Sequence, residues 1–242
     1  ATPMQHDEFL RRYGSAMGTP RRRQLLGELL TPARLALDPA QYRRLPRDID
    51  GKGQPVMLIP GLGAGPGSMA MIRRYLRKRR FRTWDWAQGR NGGDVQSVLP
   101  HVAERLETLV KELDRPFALV GWSLGGFIAR EVARDRPDLV SRVVTIGSPV
   151  LGGAKYTSLA GPYKRRGAQL DDIEATILNR YDVPLKRPVR AIYSEDDGIV
   201  SWQATIDRFS TDVKHIRVPG THVGLGFSKR VLRQLPALLV GD

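Results

Sequence analysis

The chain has 242 residues, 41% of them hydrophobic and 26% charged, a length and composition that fit one folded domain, or at most two, and exclude a disordered, fibrous or collagen-like chain. Lysine and arginine outnumber the acids by 39 to 25, a formal charge of +14, which attracts anions but does not bear on the fold. Zero cysteines exclude disulfides, thiolate metal sites and a cysteine nucleophile, so the chemistry falls to oxygen and nitrogen, with no metal and no cofactor expected.

Residues 1 to about 50 read as helices joined by Pro-marked turns. Phe9, Leu10 and Tyr13 form one apolar patch, Leu25, Leu26, Leu29 and Leu30 a second behind Arg21 to Arg23, and Leu35 and Leu37 a third. No strand pattern appears before Gln54. The opening residues lack the apolar stretch of a signal peptide, and no run of eighteen or more apolar residues follows. The expectation is a cytoplasmic protein, with Ala1 leaving room for a removed leader.

From Gln54 the character changes. Pro55 to Ile59 is a continuous apolar run closed by the glycine-rich stretch Pro60 to Gly67, the pattern of a strand buried on both faces of a parallel sheet. A helix from about Ser68 to Lys78, with Met71, Ile72, Tyr75 and Leu76 as its apolar face, precedes a strand near Phe81 to Trp84. Asp94 then caps a long amphipathic helix whose stripe runs from Val95 through Leu99, Val102, Leu106 and Leu109 to Leu113. Strands follow at Phe117 to Val120, Val143 to Ile146, Val189 to Tyr193 and His215 to Val218, with helices at Leu124 to Arg134 and about Ser228 to Leu239.

This alternation predicts an α/β fold, a parallel sheet with helices on both faces. One interval breaks the rhythm. Val150 to Arg187 is far longer than the dozen or so residues that a crossover helix needs. Such an excess reads as a lid or cap over a binding site, with its own helix at Asp171 to Arg180. The expected division is an N-terminal helical segment, 1–53, and a main domain, 54–242, carrying that insertion at about 150–187.

Gly121-Trp122-Ser123-Leu124-Gly125 matches G-x-S-x-G between an apolar strand and a helix, where such a turn holds a serine in a strained conformation. The close approach of strand and helix needs residues without side chains at Gly121 and Gly125. A plain strand-to-helix turn is the alternative reading of the pentapeptide. A serine hydroxyl needs a base, and the base needs a carboxylate. Both occur downstream, after later strands, at the edge where open α/β sheets bind ligands. Glu195-Asp196-Asp197 follows one strand and Thr221-His222-Val223 follows the last. His6, near a terminus, His101, within a helix, and His215, opening a strand, are the less suited histidines.

The elbow, the later acid and the final histidine resemble the α/β-hydrolase superfamily over about Gln54 to Asp242, and the Gly-Trp-Ser-Leu-Gly-Gly elbow is most similar to those of lipases and esterases. The resemblance implies an α/β-hydrolase fold with a reduced, mostly parallel sheet of about six strands, since two additional N-terminal strands found in many members are missing. It favours Asp197, followed by Gly198-Ile199-Val200, as the triad acid, with Asp196 as runner-up. It also implies oxyanion donors in the backbone N–H groups of Leu124 and Leu62, the latter in a loop where Pro60 stands in place of a histidine. A phosphate cradle is the rival reading of that loop, but Gly61 to Gly67 has no Lys-Ser/Thr, and Pro66 occupies the turn.

The activity so implied is cleavage of a carboxylic ester, of an acyl lipid or another small molecule, through an acyl-enzyme. An acyltransferase or thioesterase with the same triad and a noncatalytic binding protein of the same fold are the alternatives. From Arg73 to Arg82 the chain carries seven basic residues and no acid. That run suits peripheral contact with an anionic lipid surface, with a solvated helix face as the plainer reading. Too few aromatics are interleaved for a nucleic-acid partner. Oligomeric state is not legible.

Overall fold

The computed structural model describes residues 17–37 and 49–241. Phe9, Leu10 and Tyr13, with His6, and the side chains of Leu35 and Leu37 lie outside the described residues. A helix α1 (Arg22–Leu37) precedes six strands: β1 (Pro55–Ile59), β2 (Arg82–Asp85), β3 (Phe117–Trp122), β4 (Val140–Ile146), β5 (Val189–Tyr193) and β6 (Val213–Arg217). They form one sheet in the order β2-β1-β3-β4-β5-β6. Every pairing is parallel. Parallel neighbours need crossovers, and α2 (Ala70–Arg77), α3 (Val95–Leu113), α4 (Leu124–Asp135) and, after the last strand, α8 (Lys229–Val240) cover the sheet. Between β4 and β5 stand α5 (Ala160–Arg165) and α6 (Leu170–Arg180), and a single turn, α7 (His222–Leu225), follows β6.

Successive side chains of a strand point to opposite faces, and the core divides accordingly. Val56, Leu58, Ala118 and Val120 pack with Ile72 and Leu76 of α2 and Leu232 and Leu235 of α8. Met57, Ile59, Phe117 and Leu119 pack on the other face with Leu99, Val102 and Leu106 of α3 and Ile128 and Val132 of α4. Asp94 caps α3 as the sequence predicts, its carboxylate accepting the Ser97 N–H. A third apolar cluster ties Val150, Leu151, Tyr156, Ile177 and Tyr181 of the β4–β5 interval to Phe127 of α4.

In the basic run Arg74, Arg77, Lys78, Arg80 and Arg82 are exposed, and some of its side chains make contacts within the fold. Arg79 is buried with its guanidinium over the Tyr75 ring, Arg80 pairs with Asp50, and Arg77 donates to Thr83. The leucine patch of α1 faces outward: Leu25, Leu26, Leu29 and Leu30 are all exposed, whereas Glu28 among them is buried.

Arg130 lies fully buried within α4, paired with Asp207 and near the Tyr181 ring. Burial opposes charge on Asp207, yet the Arg130 charge outweighs it and holds that carboxyl down at about 2. Removing one partner of such a pair strands the other charge in the interior. Arg130→Met is therefore expected to cost about 3–5 kcal/mol in a urea titration, and Arg130→Met with Asp207→Asn less. An unchanged midpoint in the single variant would contradict this account of the pair.

Candidate active site

β3 ends at Trp122, and Ser123 forms the turn into α4 with φ 55° and ψ −127°. A residue with a side chain rarely adopts that conformation, and the surroundings enforce it. The Ser123 N–H donates to the Ile146 carbonyl at 2.8 Å, while its carbonyl accepts from Gly126 at 2.9 Å. Strand and helix approach so closely that a Cβ at Gly121 would strike the Gly125 carbonyl, and one at Gly125 the carbonyls of Ile59 and Pro60.

The three acids after β5 are set apart by their surroundings. Glu195 pairs with Arg217 at 2.8 Å and Asp196 is exposed, whereas Asp197 is buried. One Asp197 oxygen accepts the Ile199 and Val200 N–H groups at 2.9 and 2.7 Å; the other meets His222 Nδ1 at 2.7 Å. A carboxylate accepts, so Nδ1 carries the proton in this pair, and in the neutral ring Nε2 keeps its lone pair. Asp197 and His222 are thus brought together on loops after adjacent strands.

Ser123 reaches the same edge through β4. Ile146, which accepts the Ser123 N–H, is followed by Gly147, where a Cβ would lie 3.1 Å from Asp197 Oδ2 and 3.2 Å from His222 Nδ1. Trp122, beside the serine, has its ring 6.2 Å from the imidazole, centroid to centroid. The other described histidines are elsewhere: His101 Nδ1 meets the Ser97 carbonyl at 2.9 Å, and His215 Nε2 accepts the Asp207 N–H at 3.0 Å.

His222 is buried, and burial alone would disfavour its cationic form. The charge and hydrogen bond of Asp197, then the charge of Glu28, outweigh that penalty and hold its pKa above the ordinary histidine value.

Leu62 sits in the β1–α2 loop. Asn91 laces that loop: its side-chain amide donates to the Pro60 carbonyl at 2.9 Å, its backbone carbonyl accepts from Gly63 at 2.8 Å, and its N–H donates to the Ala64 carbonyl at 2.9 Å. Among the described residues the Leu62 N–H meets no backbone acceptor. Leu124 opens α4, where the first N–H groups of a helix have no partner within it. Gly61 brings the loop to the serine, since a Cβ there would lie 3.1 Å from Ser123 Cβ.

A cavity of about 160 Å³ opens at Ser123. Leu62, Leu124 and Phe127 line it from the sheet side and Tyr163, Ile173 and Ile177 from the β4–β5 interval, and no charged residue among the described residues takes part. Two residues of the site escape the sequence reading. Asn91 stands in a glycine-rich loop with nothing to mark it, and Glu28 stands on a helix that carries no motif. Glu28 accepts the N–H of His222 at 2.5 Å. No helix among the described residues is long and apolar enough to cross a membrane, and no cluster of His, Asp and Glu suited to a metal ion occurs among them.

Comparison with known proteins extends these observations. Pimeloyl-[acyl-carrier protein] methyl ester esterase of Aromatoleum aromaticum is 30% identical over 109 residues, 45% of this chain and 42% of the relative. The enzyme of the same name from Vibrio cholerae is 28% identical over 100 residues, 41% and 39% of the two chains. The match thus spans about two fifths of the length of these curated relatives. Among solved structures, that of LipS and LipT, two metagenome-derived lipolytic enzymes, superposes with a TM-score of 0.63 at 15% identity, covering 80% of this chain and 96% of the other. The monoacylglycerol lipase of Paleococcus ferrophilus gives 0.54 at 16% identity, covering 78% and 96%. Likeness at that identity speaks for the fold alone. The model of the alpha/beta hydrolase family matches residues 56–240, and with the parallel sheet and strained serine turn in place, the chain belongs to that family.

Proposed function

We propose that the protein is a serine hydrolase that cleaves carboxylic esters with an apolar acyl group, through an acyl-enzyme. The observation that carries this reading is the buried Asp197–His222 pair at 2.7 Å, at the sheet edge where Ser123 occupies its strained turn. In the first half-reaction Ser123 Oγ attacks the ester carbonyl carbon and gives its proton to His222 Nε2. Asp197 keeps the proton on Nδ1 and stabilises the imidazolium. The carbonyl electrons move onto oxygen, where the Leu62 and Leu124 N–H groups donate; one such donor contributes about 2.7–4 kcal/mol. Collapse breaks the bond to the leaving alcohol, which takes the proton from His222. Water then repeats the sequence and releases the acid.

Substrate size follows from the cavity. Its volume is below the roughly 300–1,000 Å³ of sites for drug-sized ligands, and its lining among the described residues is uncharged, which favours a short apolar acyl group over a long or acidic one. The names of the curated relatives, esterases of an acyl-carrier-linked methyl ester, support ester cleavage as the reaction class. The β4–β5 interval serves on this reading as the cap of the acyl pocket, and α1 as a helix added ahead of the sheet.

Turnover of p-nitrophenyl esters of graded chain length is expected to be highest for short chains and to fall at least about 10³-fold in Ser123→Ala, since the members of a triad act as a unit. Near-normal turnover by that variant would contradict the assignment. The base must be neutral to accept a proton, so a raised His222 pKa places the rising limb of kcat/KM against pH above about 6.5. Asp197→Asn removes the main influences that raise it, and the limb is expected to move to lower pH as the rate falls. A limb that stays in place would contradict the pairing.

A further inference from the structure

Glu28 is the one acid between Arg21 and Leu37, and it is 8% exposed while the leucines on either side face solvent. An acid inside and leucines outside is the reverse of ordinary amphipathic order. Something must compensate a carboxylate so placed. Among the described residues no ion pair does so; three backbone N–H groups do. Oε1 accepts from Gly198 at 2.9 Å and from His222 at 2.5 Å, and Oε2 accepts from Val223 at 3.0 Å.

Those donors belong to two loops that leave different strands. Gly198 follows Asp197 in the loop after β5, and His222 and Val223 open α7 after β6. Further contacts bind α1 to the same two places. Gln24 Nε2 donates to the Glu195 carbonyl at 2.5 Å, and the hydroxyls of Thr31 and Thr221 are 2.6 Å apart. Gly198 packs on the α1 backbone so closely that a Cβ there would strike the Gln24 carbonyl.

We propose that Glu28 is a positioning residue of the triad, its single carboxylate joining the acid loop to the histidine loop and fixing the separation of Asp197 from His222. The proposal rests on the serine-hydrolase reading for its effect on turnover, though not for its effect on the imidazole. Holding both loops at once fixes the His222 backbone relative to Asp197, a task for supporting groups that lock rotamers. The charged groups acting on His222 are Asp197 from the β5 loop and Glu28 from α1. Both favour the imidazolium that forms when Ser123 gives up its proton.

The test uses the full chain and two readouts. Glu28→Gln keeps the shape, removes the charge, and turns an amide N–H toward a donor. It is expected to lower kcat about tenfold or more, equivalent to about 1.4 kcal/mol, with KM within about twofold. NMR titration of the imidazoles, only four in the chain, is expected to give His222 a lower pKa in Glu28→Gln than in wild type. Glu28→Asp retains the charge at shorter reach, so its His222 titration is expected to stay closer to wild type while kcat falls. This variant carries the test if Glu28→Gln does not fold. Wild-type kcat and an unmoved His222 titration in Glu28→Gln, or in its absence wild-type kcat in Glu28→Asp, would overturn the proposal. If wild type turns over no ester, the hydrolase reading fails on that ground, and the His222 titration alone decides the role of Glu28: a lower pKa in Glu28→Gln upholds the link and an unchanged one overturns it.

Discussion

The contact on which the site depends is the hydrogen bond between Asp197 and His222, formed where water is excluded. In the interior an unpaired carboxylate or an unpaired imidazole would each be costly, so the pair is stable only as a pair, with its remaining acceptor capacity filled. The Ile199 and Val200 N–H groups fill one Asp197 oxygen and His222 takes the other. Everything around it follows from bringing the ends of β5 and β6 to the same place as the end of β3. The parallel sheet does so because its crossovers return each strand to the same edge.

Strain and support are divided among the elements. The Ser123 turn is held in a sparsely populated conformation by β4 on one side and by the glycine approach of α4 on the other. The stretch from Pro60 to Ala64 that carries Leu62 is laced to Asn91 by three hydrogen bonds. The acid and histidine loops are joined to α1 as well as to each other. Three loops at this edge of the sheet are thus braced by Asn91, Gln24 and Glu28, which lie on other segments of the chain.

Much of this architecture is legible in the sequence, and the misses have physical causes. β1 and the start of β3 read as unbroken apolar runs because both faces are buried; β5, despite Arg190, is found at its predicted bounds, Val189–Tyr193, whereas β4, expected from Val143, begins at Val140, where Ser141 and Arg142 interrupt the apolar pattern. The edge strands shift: β6 is expected from His215 to Val218 and runs from Val213 to Arg217, since its mostly exposed side chains leave no apolar pattern to mark its start. Asp197 is preferred over Asp196 only through family resemblance, whereas in the fold burial and three hydrogen bonds set it apart. Arg79 looks like surface charge until the Tyr75 ring and carbonyl are seen to receive it. Glu28 and Asn91 are illegible because their partners are backbone groups, and a backbone N–H or carbonyl has no letter in the sequence.

The central claim, that Ser123 is activated by His222 and faces two backbone donors, is tested most directly by a crystal structure of the protein after reaction with a fluorophosphonate. The account expects a covalent bond from Ser123 Oγ to phosphorus, with the phosphoryl oxygen within hydrogen-bonding distance of the Leu62 and Leu124 N–H groups and His222 Nε2 beside Oγ. An unmodified Ser123, or an adduct whose phosphoryl oxygen points away from both donors, would contradict it.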